Sequence, residues 1–378
     1  NIGLLLPASS GAVIANLAVL LNGQTTVNIN HSLELSAVQT SIKNAAVKTI
    51  ISSETFLQQL SASGIDTEAM LNGVTVVDIE NLQSQRSKLF NFFAHLGTYL
   101  LSAKLYYRAF AKKTELNAPA AILFSNGNDS ALNGVVLSHK NFIANIRQIS
   151  DLLITRENDV LLGSLPPYQS LGLTVTTLLP LIEGIKLVCH PDPSDVLNIS
   201  KTIVKSQATV LCTAAEFVPL YSQNKKVQPL MLESLRGVVS GAGMLSQEVR
   251  QEFKDKFNKD IYEGYGSNET TPVASVNIPD QLDPNDFSLQ TGAKQGSVGM
   301  PVPGCSFRIV DPETLKQVDA EHNGLILISG SQVMLGYLND VAKTNEAIIE
   351  LDNRRWFKSG DIGYVDKDGF LTVVEGYS

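Results

Sequence analysis

Three short stretches hold residues whose types and spacing could do chemistry. In "YEGYGSNETTP", residues 262–272, Tyr265, Gly266 and Glu269 follow a short strand-like run. That order puts an aromatic platform, a glycine open to close approach and a carboxylate at one sheet edge. A carboxylate there suits Mg2+, a hard cation that takes oxygen ligands and substrate phosphates. In "WFKSGDIGYVDKDGF", residues 356–370, Asp361 lies between two glycines, and an acceptor carboxylate so placed can bind a ribose diol. In "FSNGNDSALNGVVLSH", residues 124–139, Gly127 follows an apolar run and small or polar residues fill positions 128–131. Backbone amides in such a turn can cradle phosphate oxygens. No GK[ST] follows, so this is not a Walker loop, and taken alone it reads as a surface turn. Upstream, "VVSGAGML", residues 238–245, ends a strand in a glycine turn.

Each residue also has an ordinary alternative. Tyr265 can be a half-buried aromatic at a strand end, Glu269 an acid in a first helical turn where the dipole favours it, and Asp361 a turn former. Their joint order along one chain is what favours chemistry. His31, His95, His139, His190 and His322 show no metal spacing, and no Ser, His, Asp arrangement can be argued.

The elements that must carry these residues follow from periodicity. Short β-branched runs alternate with amphipathic stretches: "NIGLLLP", a helix from about Gly11, "TTVNIN", a helix from about Glu34, "VKTIISS" and "GVTVVDI". Parallel neighbours need crossovers, so this order predicts parallel sheets covered by helices. A second run follows Pro119 with "AAILFS", "DVLLGSLP", "IKLVCHP", "ATVLCTA", "LRGVVSGAG" and "DIYEGYG", and Ser138 is placed to cap a helix from near Lys140. Beyond Gly296 short strands and turns suit a smaller, mostly β unit. The expected division is 1–118, 119–295 and 296–378: two α/β subdomains with parallel sheets, then a β-rich one.

Bulk properties narrow the partners. A formal net charge of -8 gives no footprint for nucleic acid. Cys189, Cys212 and Cys305 form no CxxC pair, which points to a reducing, cytoplasmic compartment rather than a disulfide framework. The apolar start, "GLLLPASSGAVIANLAVLLNG", is broken by Pro7, Ser9 and Ser10 and does not predict a membrane span. The chain opens in a strand, Ile2 to Leu6, as a fragment would. Residues 86–113, "RSKLFNFFAHLGTYLLSAKLYYRAFAKK", mix seven Phe and Tyr with six Lys and Arg. Such a mixture can lie on the cytoplasmic face of a membrane; the alternative is an amphipathic helix packed on its own domain.

The order "ILFSNG…GVVLSH", "SLPPYQSLGLT", "VVSGAG", "YEGYGSNETTP", "GSVGMPVPG", "VMLGYLND", "WFKSGDIGYVDKDGF" resembles the adenylate-forming superfamily of acyl-CoA and acyl-carrier-protein synthetases, over nearly the whole chain. "EGYGSNETTPVASVNIP" and "LGLTVTTLLPLIEG" are similar to the acyl-acyl-carrier-protein synthetase part of the bifunctional 2-acylglycerophosphoethanolamine acyltransferases. The resemblance implies the large N-terminal domain of these enzymes, with its third subdomain a distorted barrel, and an acid–thiol ligase. A fatty acid carboxylate attacks the α-phosphate of ATP, and the thiol of acyl carrier protein or CoA then displaces AMP. By position, Ser125, Asn126, Gly127, Asn128 and Asn133 belong to the phosphate loop, and Gly241, Ala242 and Gly243 line the adenine site. Tyr265 stacks on adenine beside Gly266, Asp361 holds the ribose, Glu269 holds Mg2+ and, with Asn268, serves catalysis. Tyr168, Gln169 and Gly172 lie along the acyl tunnel.

This chain departs from the family pattern at the loop, where Asn128, Asp129, Ser130 and Asn133 stand in place of Thr- and Gly-rich positions and a lysine. A cation is removed and an acid added beside phosphates, which weakens ATP binding. Gln169 replaces an aromatic or His, Asn268 a Thr, Gly243 an acid, and Glu375–Gly376 a Gly-Arg. The smaller C-terminal domain with its catalytic lysine is expected to lie outside this chain. A second reading is a binding or regulatory module that keeps the fold without turnover.

Overall fold

The computed structural model describes residues 1–84, 88–126, 132–153 and 156–375 as a mixed α/β protein with two parallel-rich sheets and an antiparallel one. In the first sheet, strands Ile2–Leu4, Thr26–Asn28, Thr49–Ser52 and Thr75–Asp78 run parallel. The helices between them start where the sequence supplies caps. Ser9 Oγ accepts the Ala12 amide at 3.2 Å to open helix Ser10–Leu21, and Ser53 Oγ accepts the Phe56 amide at 3.1 Å to open Glu54–Ala62. Helix Leu35–Asn44 buries Val38, Ser41 and Ile42, the stripe that a 3.6-residue period lays against a sheet.

The second sheet has the order Met300–Pro301, Ser275–Val276, Ile261–Tyr265, Gly237–Gly241, Val210–Ala214, Val160–Gly163, Lys186–Cys189; the last five strands are parallel. All five coincide with the expected β runs. The third sheet is antiparallel, built from Ser306–Val310, Gly324–Ser329, Arg354–Val365, Ile348–Leu351 and Leu371–Glu375.

Sheet membership does not follow the expected boundaries at 118 and 295. Strands Pro119–Asn126 and Leu132–Ser138 join the first sheet, because Val27 pairs with Ile122 in parallel. Met300–Pro301 pairs into the second sheet, and Gly336–Tyr337 pairs with Leu132–Ser138 in the first. Edge strands with unpaired backbone groups recruit whatever segment passes them, irrespective of sequence distance.

Helix His139–Leu153 is the hub. Ser138 Oγ accepts the Asn141 amide at 3.1 Å, and Asn141 Oδ1 accepts the Ser138 amide at 2.8 Å. The Asn141 side chain donates onward to the carbonyls of Ser331 and Val333, each at 2.8 Å, tying the third unit to this helix start. Below the cap, Phe142 and Ile146 pack with Leu123 and Leu137 of the first sheet, Leu161 and Cys212 of the second, and Ile326 and Phe357 of the third. One core therefore spans all three sheets, and the spaces left between them are where a ligand can enter.

Residues 88–110 form two short helices, Lys88–Leu100 and Ala103–Phe110. On them Phe92, Phe93, Tyr99 and Phe110 are all more than half exposed.

Candidate functional site

The three sheets meet around a cavity of about 1290 Å³. Its polar end is built at the carboxyl ends of the second sheet's strands, where loops leave a parallel sheet and ligands ordinarily bind. Strand Ile261–Tyr265 ends at Tyr265, and the next residue must be glycine: a Cβ on Gly266 would lie 1.7 Å from the Pro272 carbonyl oxygen. That close turn delivers Asn268 and Glu269 to the cavity wall. The Asn268 side-chain oxygen accepts the Ser170 amide at 3.1 Å, and Glu269 Oε1 accepts the Tyr337 hydroxyl at 3.0 Å. Tyr337 sits on an edge strand of the first sheet and Glu269 beside the second, so the carboxylate bridges the two.

Asp361 is 8% exposed on strand Arg354–Val365 of the third sheet. Its amide donates to Ser359 Oγ at 3.0 Å, and its Oδ2 accepts the Tyr265 hydroxyl at 2.5 Å. Burial first, then the Asp361 charge, pushes the Tyr265 hydroxyl well above its ordinary pKa, so it stays a proton donor. The ring of Tyr265 lines the cavity half-buried.

Of the other expected residues, Gly241, Ala242 and Gly243 follow one another along the cavity wall, with Ala242 at φ 53°. Asn133 lines the same cavity from strand Leu132–Ser138, in register with Ser125. Ser125 and Asn126 close strand Pro119–Asn126, whereas Gly127 and Asn128 lie outside the described residues. Tyr168 and Gln169 also line the cavity. Burial raises the Tyr168 hydroxyl pKa, and its ring meets His31 edge-on at 5.4 Å. Gly172 does not touch the cavity. It packs on the Pro166 carbonyl, which a Cβ would approach to 2.1 Å, and its own carbonyl accepts Thr176 and Thr177 at 2.9 Å each.

Beyond Gly241 the cavity continues as an apolar limb across one face of the second sheet. Strand parity explains its lining: Val239 pairs with Cys212 and Tyr262, and Leu161 with Val210, so all five point to the same side. Ile149 and Leu152 of the hub helix and Val175 cover them. Burial pushes the Cys212 thiol up to about 12, leaving it an uncharged apolar wall. Gly237 keeps the far end open, since a Cβ there would meet nothing within 4 Å. The four residue steps from Gly237 to Gly241 cover ~13 Å at about 3.3 Å each. At the end of the limb Arg236 grips Asp159 with Nε to Oδ1 at 2.9 Å and Nη2 to Oδ2 at 2.6 Å. Burial raises the Asp159 carboxyl, but hydrogen bonds from Arg236, the Arg156 amide and Thr209 outweigh it and hold the carboxyl at about 2.

Several of these residues have no role in the sequence reading. Tyr337 lies in "VMLGYLND" and Glu263 in "YEGYG", both motifs whose neighbours were singled out. Glu263 is 6% exposed, accepts the Leu245 amide at 3.2 Å and pairs with Arg250, which braces the turn through Gly243. A carboxylate on an inward strand position was the available signal. Arg236, Asp159 and Gly237 gave none.

Among the described residues no group of three or more His, Cys, Asp or Glu could hold a metal. Glu269 alone still fits Mg2+, which usually takes one or two carboxylates with substrate phosphates rather than a protein cage.

A model of the AMP-binding enzyme family matches residues 1–338. Probable 4-coumarate–CoA ligase 2 of Dictyostelium discoideum is 34% identical over 260 residues, 68% of this chain and 44% of its own length. The 4-coumarate–CoA ligase of Vanilla planifolia is 31% identical over 260 residues, again 68% of this chain and 45% of its length. This chain thus spans less than half of the curated relatives it matches. Its fold is similar to that of ATP-bound MatB from Rhodopseudomonas palustris, with TM-score 0.75 and 23% identity over 99% of this chain and 68% of that one. It is also similar to o-succinylbenzoate CoA synthetase (MenE) from Bacillus subtilis in complex with its acyl-adenylate intermediate, with TM-score 0.77 and 20% identity over 99% and 68%. A family match over nearly all of the chain, on a fold that brings Tyr265, Glu269 and Asp361 to one cavity, makes this chain a member of the AMP-binding enzyme family, within the adenylate-forming superfamily.

Proposed function

We propose that this chain carries the adenylating site of an acid–thiol ligase whose acid is a fatty acid. The nucleotide is ATP, and Glu269 would hold Mg2+, which when bound would offset negative charge on the phosphates. Asp361 takes the ribose hydroxyls and Tyr265 faces adenine. A carboxylate oxygen of the acid bonds to the α-phosphorus, the bond from that phosphorus to pyrophosphate breaks, and pyrophosphate leaves with the electron pair. Thiol attack on the acyl carbon then expels AMP. CoA or acyl carrier protein is the acceptor, and the cytoplasm, where ATP and both acceptors are found, is the compartment.

The observation that carries this reading is continuity: one cavity holds the Asp361–Tyr265–Glu269 end and a limb walled by Val210, Cys212, Val239 and Leu161. A limb of ~13 Å accommodates about ten carbons at ~1.3 Å of advance per zigzag C–C bond. The side chains of Leu161, Val210, Cys212 and Val239, covered by Ile149, Leu152 and Val175, make this wall mainly apolar, which favours an alkyl chain over the aromatic acid in the relatives' names. The test is acid-dependent pyrophosphate release from Mg-ATP by the full-length protein, comparing dodecanoate with 4-coumarate. Release with dodecanoate is expected. A response to 4-coumarate alone overturns the fatty acid, and tight AMP binding with no release for any acid supports the module without turnover, which the altered loop at Asp129 and Asn133 favours.

A further inference from the structure

Helices Lys88–Leu100 and Ala103–Phe110 lie outside the shared core and cover nothing that the cavity uses. Ser102 opens the second helix, its Oγ accepting the Leu105 amide at 3.4 Å, and the Lys112 amide donates to the Leu21 carbonyl at 2.8 Å, which ties the segment's end to the fold. Between these anchors the apolar side chains face outward. Phe92 is 60% exposed, Phe93 59%, Tyr99 78%, Leu100 72%, Leu105 52% and Phe110 59%. Helix Ala103–Phe110 buries no residue at all. Contiguous exposure of this kind in a folded chain marks a surface that meets something apolar.

Charge says what that is. Residues 86–114 hold six Lys and Arg and no Asp or Glu, in a chain whose formal net charge is -8. On helix Ala103–Phe110, Lys104 and Arg108 are one turn apart and share an edge, while Leu105, Tyr106, Tyr107 and Phe110 occupy the rest of the circumference. Aromatic and Leu side chains on one arc with cations along its edge match the boundary between acyl chains and anionic headgroups. A protein partner fits less well, because lysine is depleted in the buried centres of protein interfaces while long cationic side chains readily reach out of an apolar layer. Among the described residues no helix is long and apolar enough to cross a membrane, so the contact is one of lying on the surface. We infer that the paired helices 88–100 and 103–110 dock this protein on an anionic lipid bilayer, with Phe93, Tyr99 and Phe110 inserted and Lys104 and Arg108 at the headgroups. The inference is independent of which acid the cavity takes.

Vesicle flotation tests it, using phosphatidylcholine vesicles with and without phosphatidylglycerol. The protein should float with the anionic vesicles at low salt and much less with pure phosphatidylcholine. At ~1 M salt, where the screening length is about 3 Å, binding should weaken. Lys104→Glu with Arg108→Glu should cut the bound fraction about tenfold or more. Phe93→Ser with Tyr99→Ser and Phe110→Ser should abolish flotation while circular dichroism and thermal midpoint stay as in wild type, since all three side chains are exposed. Absence of flotation, or flotation equal in wild type and both variants, overturns the inference. So does a dimer in sedimentation that the triple serine variant returns to monomer without any effect on flotation, which would assign the face to a second copy of the chain.

Discussion

The Tyr337 hydroxyl donates to Glu269 at 3.0 Å and joins the edge of the first sheet to the turn that follows the second. The bond aims the carboxylate and leaves its other oxygen for a cation. Tyr337→Phe keeps the ring and removes the donor, so it should weaken Mg-dependent ATP binding by roughly tenfold, the value of one charge-assisted hydrogen bond of about 1.5 kcal/mol. Glu269→Gln should abolish the Mg2+ enhancement. Calorimetry with ATP at varied Mg2+ reads both, and AMP binding without metal should be unchanged; equal losses for AMP would show that Tyr337 only supports the fold.

Asp361 is held by Tyr265 and by its own amide's bond to Ser359 before any ligand arrives. Asp361→Ala should therefore cost AMP affinity about tenfold or more through the lost charge-assisted bond to ribose. Tyr265→Phe should cost less, since it frees the carboxylate without removing it. The reverse order would mean that the tyrosine contributes chiefly by its hydroxyl.

The strands and caps were legible because their causes are local. β-Branched runs named the strands of the second sheet, and Ser138 announced the helix it caps. The failures are all non-local. Thr26 pairs with Ala121, and its Oγ1 donates to the carbonyl of Ala120, 94 positions further along the chain; nothing near residue 118 signals it. Asp159 and Arg236 are separated by 77 positions. The collinear motifs located Tyr265, Glu269 and Asp361, but a resemblance assigns roles only to positions it already names, so Tyr337 went unread within its own motif. Gly237 matters for the space around it, and empty space leaves no mark in a sequence.

That space gives a size test. Gly237→Leu places a side chain where a Cβ meets nothing within 4 Å, so the fold should tolerate it while the far end of the limb fills. A dodecanoyl-adenylate analogue should lose tenfold or more in affinity, and an acetyl-adenylate analogue should be unaffected. Equal effects on both, with the thermal midpoint unchanged, would move the acyl chain out of this limb.

Strong acid should weaken the end of that limb. The Asp159 carboxyl, held at about 2 against its ordinary 3.8, contributes stability that is complete above about pH 4 and lost as pH falls through 2. The shift corresponds to ~2 kcal/mol. Denaturant midpoints measured from pH 5 to pH 2 should fall less in Asp159→Asn than in wild type. Parallel curves would mean that other carboxylates dominate acid unfolding.

The last prediction concerns the phosphates. Asn133 lines the cavity at the position where the sequence resemblance leads one to expect a lysine, and helix Val341–Ala347 brings Lys343 to the same cavity, its ammonium 5.8 Å from the Tyr337 ring centroid and so on the Glu269 side of the site. A cation there can stand against β- and γ-phosphates, which AMP lacks. Lys343→Ala should therefore weaken ATP while leaving AMP unchanged, and Asn133→Lys should strengthen ATP selectively. At an effective dielectric near 20 a unit charge pair at 4 Å is worth about 4 kcal/mol, of which solvent exposure leaves a fraction, so tenfold is the expected scale for each change. Wild type should bind AMP or an acyl-adenylate analogue more tightly than ATP, because ribose and adenine contacts through Asp361 and Tyr265 persist while loop contacts to the outer phosphates are weakened. Calorimetry on wild type and both variants decides: if ATP already binds as tightly as AMP and neither substitution shifts the ratio, the altered loop is no handicap to the nucleotide.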